Sequence, residues 1–303
     1  MKTPRRVTVV EVGPRDGLQN EAVTVPVDAK LAFIHALASA GLSVVEATSF
    51  VSPKWVPQLG DAEEVVKRLE RRPGVRYPVL VPNEKGLERA LATGVKEIAI
   101  FTAATDGFNK KNTNATVQES LERLAPVVKK GREAGMWVRG YVSTVFGCPY
   151  DGPVSPEQAA RVARDVLALG VDELSLGDTI GVATPNQVEA VIEKVVEHVP
   201  LEKVALHFHD TRGTALANVL AGLGRGVAIF DSAAGGTGGC PYAPGASGNL
   251  ATEDLLYMLA GLGIETGVDV EGVRAASRRL AGVLGRALPG KYAQAGPPPW
   301  IKR

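Results

Sequence analysis

The sequence predicts a (β/α)8 TIM barrel with additional C-terminal helices, and three observations lead there. Eight short apolar runs recur along the 303 residues, helix-period patterns lie between most of them, and no linker-like stretch breaks the alternation. The first run, VTVVEV at 7–12, reads as a strand, and the helix pattern at 28–40 follows it and stops at Gly41. SVVEA at 43–47 is the second strand, followed by a helix pattern at 61–71. YPVLV at 77–81 and EIAIF at 97–101 are the third and fourth, with a helix predicted at 117–134 and closed by Gly135. WVRGYVS at 137–143 precedes a helix at 156–169 that ends at Gly170, and ELSL at 173–176 precedes one at 185–199. VALHF at 204–208, a helix at 211–224 and AIFDS at 228–232 complete the eighth beat. Glycine after a helix supplies the positive φ that its C-terminus favours. An open doubly wound sheet is the alternative, but an unbroken run of eight units favours closure. The expected organisation is one catalytic domain over 1–303. It comprises a barrel at about 5–235, a glycine-rich loop at 235–249 and a helical region at 250–290 with helices at 251–262 and 270–284.

Composition narrows the partners. A net charge of +1 without basic blocks gives no footprint for nucleic acid or an anionic membrane, so a small charged metabolite is the expected ligand. Two cysteines, Cys148 and Cys240, make no disulfide framework, and no apolar run is long enough to span a bilayer. A strand-like run within a few residues of Met1 leaves no room for a targeting segment, so the cytoplasm is the expected compartment.

In a parallel barrel the catalytic groups come from the C-terminal ends of the strands. Past the first strand lie Arg15, Asp16 and Gln19; the second offers Glu46, the fifth Arg139 and Tyr141, the sixth Asp178. On the seventh, His207 and His209 are two residues apart, so their imidazoles leave the same face and can converge on one cation. Asp16 can add a carboxylate and Asn249 an amide oxygen. Mixed nitrogen and oxygen donors without thiolate suit Mg2+ or Mn2+, with zinc second. His35 and His198 are expected to be structural. Cys240 sits in GGTGGCPYAPGASGN at 235–249, where glycines let a backbone approach a ligand closely and a thiol can meet substrate.

Several motifs together resemble the 3-hydroxy-3-methylglutaryl-CoA lyase family over nearly the whole length. They are GPRDGLQNE at 13–21, VEATSFVSPKWVPQ at 45–58, FNKKN at 108–112, RGYVS at 139–143, SLGDTIG at 175–181, HFHDTRG at 207–213 and GGCPYAPGASGNLATED at 238–254. The resemblance implies a divalent-cation-dependent (β/α)8 enzyme that cleaves 3-hydroxy-3-methylglutaryl-CoA to acetyl-CoA and acetoacetate, and a homodimer. It puts the metal ligands on Asp16, His207, His209 and Asn249, the catalytic arginine on Arg15 and the loop cysteine on Cys240. Glu46 and Asp178 match supporting carboxylates, expected to orient Arg15 and the histidines, and Arg15 and Gln19 are expected to bind substrate. Lys111 and Asn112 are placed either near the CoA moiety or in a solvated loop. Condensing enzymes that join acetyl-CoA to a 2-oxo acid share the arginine-aspartate pair and the HxH pair. The cysteine-bearing loop favours the lyase. A non-catalytic barrel would lack one of these positions, and none is lacking.

Overall fold

The computed structural model describes residues 3–239 and 248–299. Among the described residues the strands are β1 (Thr8–Glu11), β2 (Val44–Val45), β3 (Thr48–Ser49), β4 (Val79–Leu80), β5 (Glu97–Ala103), β6 (Trp137–Ser143), β7 (Gly147–Cys148), β8 (Gly152–Pro153), β9 (Glu173–Asp178), β10 (Val204–Phe208) and β11 (Ile229–Ser232). β7 and β8 form a separate antiparallel hairpin, and the other nine join in the order β2-β1-β11-β10-β9-β6-β5-β4-β3, parallel throughout. β2 and β3 are two halves of one segment, 44–49. The first half pairs with β1 and the second with β4, so the ends of the sheet meet and the barrel closes. Between the halves, Glu46 N donates to Glu11 O at 2.8 Å and Ala47 N to Pro78 O at 2.9 Å. The strand predicted at 43–47 therefore exists as a bridge between two neighbours, and Val44 is paired on both sides, with Val10 of β1 and with Arg76 ahead of β4.

The described helices are α1 (Val27–Ser39), α2 (Ala62–Arg68), α3 (Glu84–Leu91), α4 (Asp106–Thr113), α5 (Val117–Glu133), α6 (Pro156–Ala168), α7 (Pro185–Val195), α8 (Ala215–Gly224), α9 (Thr252–Gly261), α10 (Val270–Leu284) and α11 (Lys291–Ala295). Gly41, Gly135 and Gly170 follow their helices at φ of 97°, 71° and 98°, as their placement after apolar periodic segments predicts. Three helices were not foreseen: α4 shows little apolar periodicity, and α3 and α11 are short, eight and five residues. α4 is DGFNKKNT, with only Phe108 and Asn109 buried, and it converts the predicted loop around Lys111 and Asn112 into an exposed helix. α3 is eight residues long and is started by Asn83, whose side chain accepts from Gly86 N at 2.9 Å.

Alternation along each strand divides the barrel into two environments. Residues on the outer face, among them Ile98, Ile100, Val138, Val142, Leu174, Leu176, Leu206 and Phe230, join the helices in one extended apolar core. On the inner face, Val10, Val12, Val44 and Ala233 form one small apolar cluster and Leu80, Ala99 and Tyr141 another. Between these clusters the interior holds buried Glu46, Arg139, Ser175 and Asp231. No described helix is long and apolar enough to cross a membrane.

Candidate active site

Arg15 and Asp16 sit on a wide turn, Gly13–Gly17, that follows β1 because the amides of Arg15, Asp16 and Gly17 all donate to Val12 O. The turn is held from below by Glu11, which accepts from Gly13 N at 2.8 Å and Ala234 N at 2.9 Å, and from Thr252 Oγ1 at 2.7 Å. Across the barrel, His207 belongs to β10 and His209 follows it by two residues, and their rings lie 5.2 Å apart. One ligand atom from each of Asp16, His207 and His209 lies within 4.8 Å of the others, which is the convergence that the HxH spacing predicts.

Asn249 reaches this group through the chain after the glycine-rich loop. Residues 248–251 run between the ends of β10 and β11: Asp210 N donates to Gly248 O at 3.0 Å, Leu250 N to Phe208 O at 3.0 Å and Ala233 N to Leu250 O at 2.9 Å. Gly238 and Gly248, at φ of 103° and 93°, meet where an added Cβ on Gly248 would strike the Gly238 carbonyl. Glycine is needed at both ends of the loop for the chain to pinch together there. Asn249 Nδ2 donates to Asp16 Oδ2 at 2.9 Å and to Thr237 O at 3.0 Å. Both partners are acceptors, which sets the orientation of the amide and leaves Oδ1 buried with no partner among the described residues.

These residues fit a divalent cation. His209 is pushed down to about 4 by burial and by neighbouring His207, so its imidazole is neutral and available as a ligand near neutral pH. Burial alone would raise the Asp16 carboxyl, but Arg15, both histidines and Asn249 outweigh burial and hold it below its usual range. The donors are two imidazoles, a carboxylate and an amide oxygen.

Arg15 bridges this group to the barrel interior. Its Nη1 lies 2.5 Å from Asp16 Oδ1 and its Nη2 3.0 Å from Glu46 Oε2, and its guanidinium stands 5.3 Å from the centre of the Tyr141 ring. The guanidinium is buried, yet Glu46 and Asp16 outweigh the cost of burying it and keep it charged. Among the described residues Arg15 Nε, Glu46 Oε1 and Gln19 Oε1 are buried without a hydrogen-bond partner, so the mouth carries polar atoms ready to take a ligand.

The two supporting carboxylates part company. Glu46 accepts from Arg15 and, at 2.9 Å, from Tyr141 Oη. Asp178 instead accepts from Val182 N at 2.9 Å and Ala183 N at 3.1 Å, which shapes the turn after β9, and burial pushes its carboxyl up to about 6. The carboxylate within hydrogen-bond distance of a histidine ring, among the described residues, is Asp231, 3.3 Å from His207 Nδ1. Asp231 was not among the residues expected at the site, although a lone acid inside the apolar run AIFDS was the available signal. Cys240 lies outside the described residues. His35 is half-buried and accepts from Glu70 N at 3.3 Å, and His198 is exposed, both away from the site.

A family model described as HMGL-like matches residues 6–280. The chain is 54% identical over 292 residues to a protein of Bos taurus named "Hydroxymethylglutaryl-CoA lyase, mitochondrial", covering 96% of this chain and 90% of that one. The chain belongs to the HMGL-like family, among the hydroxymethylglutaryl-CoA lyases. A cytoplasmic 3-hydroxy-3-methylglutaryl-CoA lyase of Rattus norvegicus is 50% identical to this family member, covering 96% of this chain and 85% of that one. The crystal structure of hydroxymethylglutaryl-CoA lyase from Pseudomonas aeruginosa superposes with a TM-score of 0.96 at 51% identity, covering 97% of this chain and 98% of that one. The barrel of this lyase-family chain is thus the architecture of its relatives.

Proposed function

We propose that the chain is a carbon–carbon lyase that cleaves 3-hydroxy-3-methylglutaryl-CoA to acetyl-CoA and acetoacetate. One observation carries this reading: Asp16, His207 and His209 converge at the mouth, with the unpartnered Asn249 Oδ1 beside them and the charged Arg15 bonded to Asp16. Asp16, His207, His209 and Asn249 would hold a divalent cation, Mg2+ or Mn2+ by donor chemistry. When bound, the cation supplies Lewis acidity that lowers the pKa of a hydroxyl beside it.

The reaction is a retro-Claisen cleavage. The C3 hydroxyl loses its proton and becomes the ketone of acetoacetate, while the C2–C3 bond breaks and its electron pair passes to the thioester enolate. Protonation at C2 then gives acetyl-CoA. Arg15, pinned by Glu46 and Asp16, presents a permanent positive charge for the enolate oxygen without reorganising. Asp178, held by the amides of Val182 and Ala183, is proposed as a supporting carboxylate at the end of β9. Cys240 is the proposed donor of the C2 proton, and Gln19, whose Oε1 is unpartnered, is a proposed substrate contact. Lys111 and Asn112 on exposed α4 are proposed to lie toward the CoA moiety.

We further propose that the chain acts as one catalytic domain, assembled as a homodimer in the cytoplasm. The deciding assay measures acetoacetate released from the CoA ester after chelation and after adding back Mg2+ or Mn2+, with 2-oxo acid plus acetyl-CoA as the condensing control. Cation-dependent cleavage without condensation supports the lyase. Cleavage that survives chelation, or condensation in its place, overturns it. Sedimentation and cell fractionation test assembly and compartment.

A further inference from the structure

Beneath the candidate cation site the barrel interior contains a hydrogen-bonded ring that begins at one proposed ligand and ends at another. Asp16 bonds Arg15 at 2.5 Å, Arg15 bonds Glu46 at 3.0 Å, and Glu46 accepts from Tyr141 Oη at 2.9 Å. Tyr141 Oη in turn accepts from Arg139 Nη1 at 2.8 Å, Arg139 Nη2 donates to Asp231 Oδ1 at 2.6 Å, and Asp231 Oδ2 faces His207 Nδ1 at 3.3 Å. The ring closes where His207 and Asp16 approach each other at the mouth. Ser175 Oγ also donates to Asp231 Oδ2 at 2.8 Å, and Arg139 Nε makes a 2.8 Å ion contact with Glu173. Arg139 is 1% exposed and Asp231 1% exposed, so this part of the ring is sealed from solvent.

We propose that Asp231 is a positioning residue for the cation, acting through the tautomer and the rotation of His207. The carboxylate is surrounded by donors: Arg139 and Ser175 can only give it protons in these contacts, and His207 Nδ1 is left to do the same. An imidazole that donates from Nδ1 presents Nε2 with a free lone pair, and Nε2 is then the atom turned to a metal. Charge balance points the same way. Asp16, Glu46, Glu173 and Asp231 are four formal negative charges against the two of Arg15 and Arg139, a deficit that one divalent cation closes. Arg139 complements this role, because it keeps Asp231 turned toward His207 and links it through Tyr141 to the carboxylate that holds Arg15.

The isosteric change Asp231→Asn tests this directly. The asparagine oxygen must face the Arg139 donor, so its NH2 faces His207 and drives the proton onto Nε2, where it blocks ligation. The inference rests on the proposed ligand set, and the measurements separate the two ideas. With four histidines in the chain, 15N-histidine spectra of the cation-free protein resolve each ring, and His207→Gln assigns the signal that disappears. The expected result is an Nδ1–H tautomer for His207 in the wild type, an Nε2–H tautomer in Asp231→Asn, and Mn2+ affinity weakened about 10- to 100-fold by calorimetry. Leu174→Ala, an outer-face packing change, should lower Tm and leave the Mn2+ affinity within twofold. An Nε2–H tautomer in the wild type overturns the positioning role even should Asp231→Asn fail to fold. Unchanged affinity in a folded Asp231→Asn overturns it as well. Absence of Mn2+ binding by the wild type instead overturns the ligand set on which it rests.

Discussion

The two faces of the same barrel strands are built by opposite rules. On the outer face, Ile98, Val138, Leu174, Leu206 and Phe230 pack against helices, and the driving force is removal of apolar area from water. On the inner face, one residue away along the chain, Arg139, Tyr141, Ser175 and Asp231 satisfy one another by charge and hydrogen bonds. Burying two arginines and their carboxylates is a poor way to stabilise a protein, since desolvation can exceed the attraction gained. The comparison teaches that stability is lodged in the shell and chemistry in the interior, so substitutions on the two faces should separate the two properties.

The largest expected effect breaks the interior. Arg15→Gln should lower kcat on the order of 10³-fold with the cation still bound, and should also lower Tm because buried Glu46 loses its counter-charge, measured by steady-state kinetics beside calorimetry at temperatures where the variant is folded. Near-normal turnover would remove the enolate role from Arg15. Cys240→Ser should lower kcat by about 10²-fold or more while unfolding and Mn2+ affinity stay at wild-type values, because a hydroxyl is a far weaker general acid than a thiol. Full activity in that variant would make the thiol incidental.

The converse experiment targets the shell. Leu174→Ala should cost about 2–5 kcal/mol by denaturant unfolding and leave kcat/KM within twofold at temperatures where it is folded. A comparable fall in kcat/KM would show that the two faces are not separable.

A smaller effect sharpens the boundary between them at Glu11. Burial pushes its carboxyl up to about 7 from an ordinary 4.5, against the donors Thr252, Ala234 and Gly13. The native state therefore holds a proton that the unfolded chain has released between those two values. Stability should fall as pH rises through that window, by roughly 3 kcal/mol for this group, with the full loss reached above 7. Glu11→Gln should flatten that part of the curve of unfolding free energy against pH, and a slope identical to wild type would assign the titration elsewhere.

The glycine stops after helices, the strand spacing and the HxH pair are local properties, and each was legible because period and residue type are written along the chain. Asp16 joining His207 and His209 was legible for a related reason, since parallel strands bring their C-terminal ends to one mouth. α3 and α4 were not, because α4 is polar and α3, though Leu87 and Ala90 share a buried face, is only eight residues long, too short for its period to stand out. Asp178 and Asp231 mark the limit most clearly: both are single acids at strand ends, and sequence offered no way to know that one would bond the amides of Val182 and Ala183 while the other met a histidine.

The sequence by itself determined the barrel, its direction and the residue types available at its mouth, because hydrophobic periodicity and strand-end position follow from local geometry. Only the tertiary structure decided which partners those residues take. The split of segment 44–49 between two neighbours, the return of Asn249 beside His209, and the ring from Asp16 through Arg15, Glu46, Tyr141, Arg139 and Asp231 to His207 all join residues far apart in the chain. The physical reason is that a buried charge is stable only where its partners are, and barrel closure sets those positions.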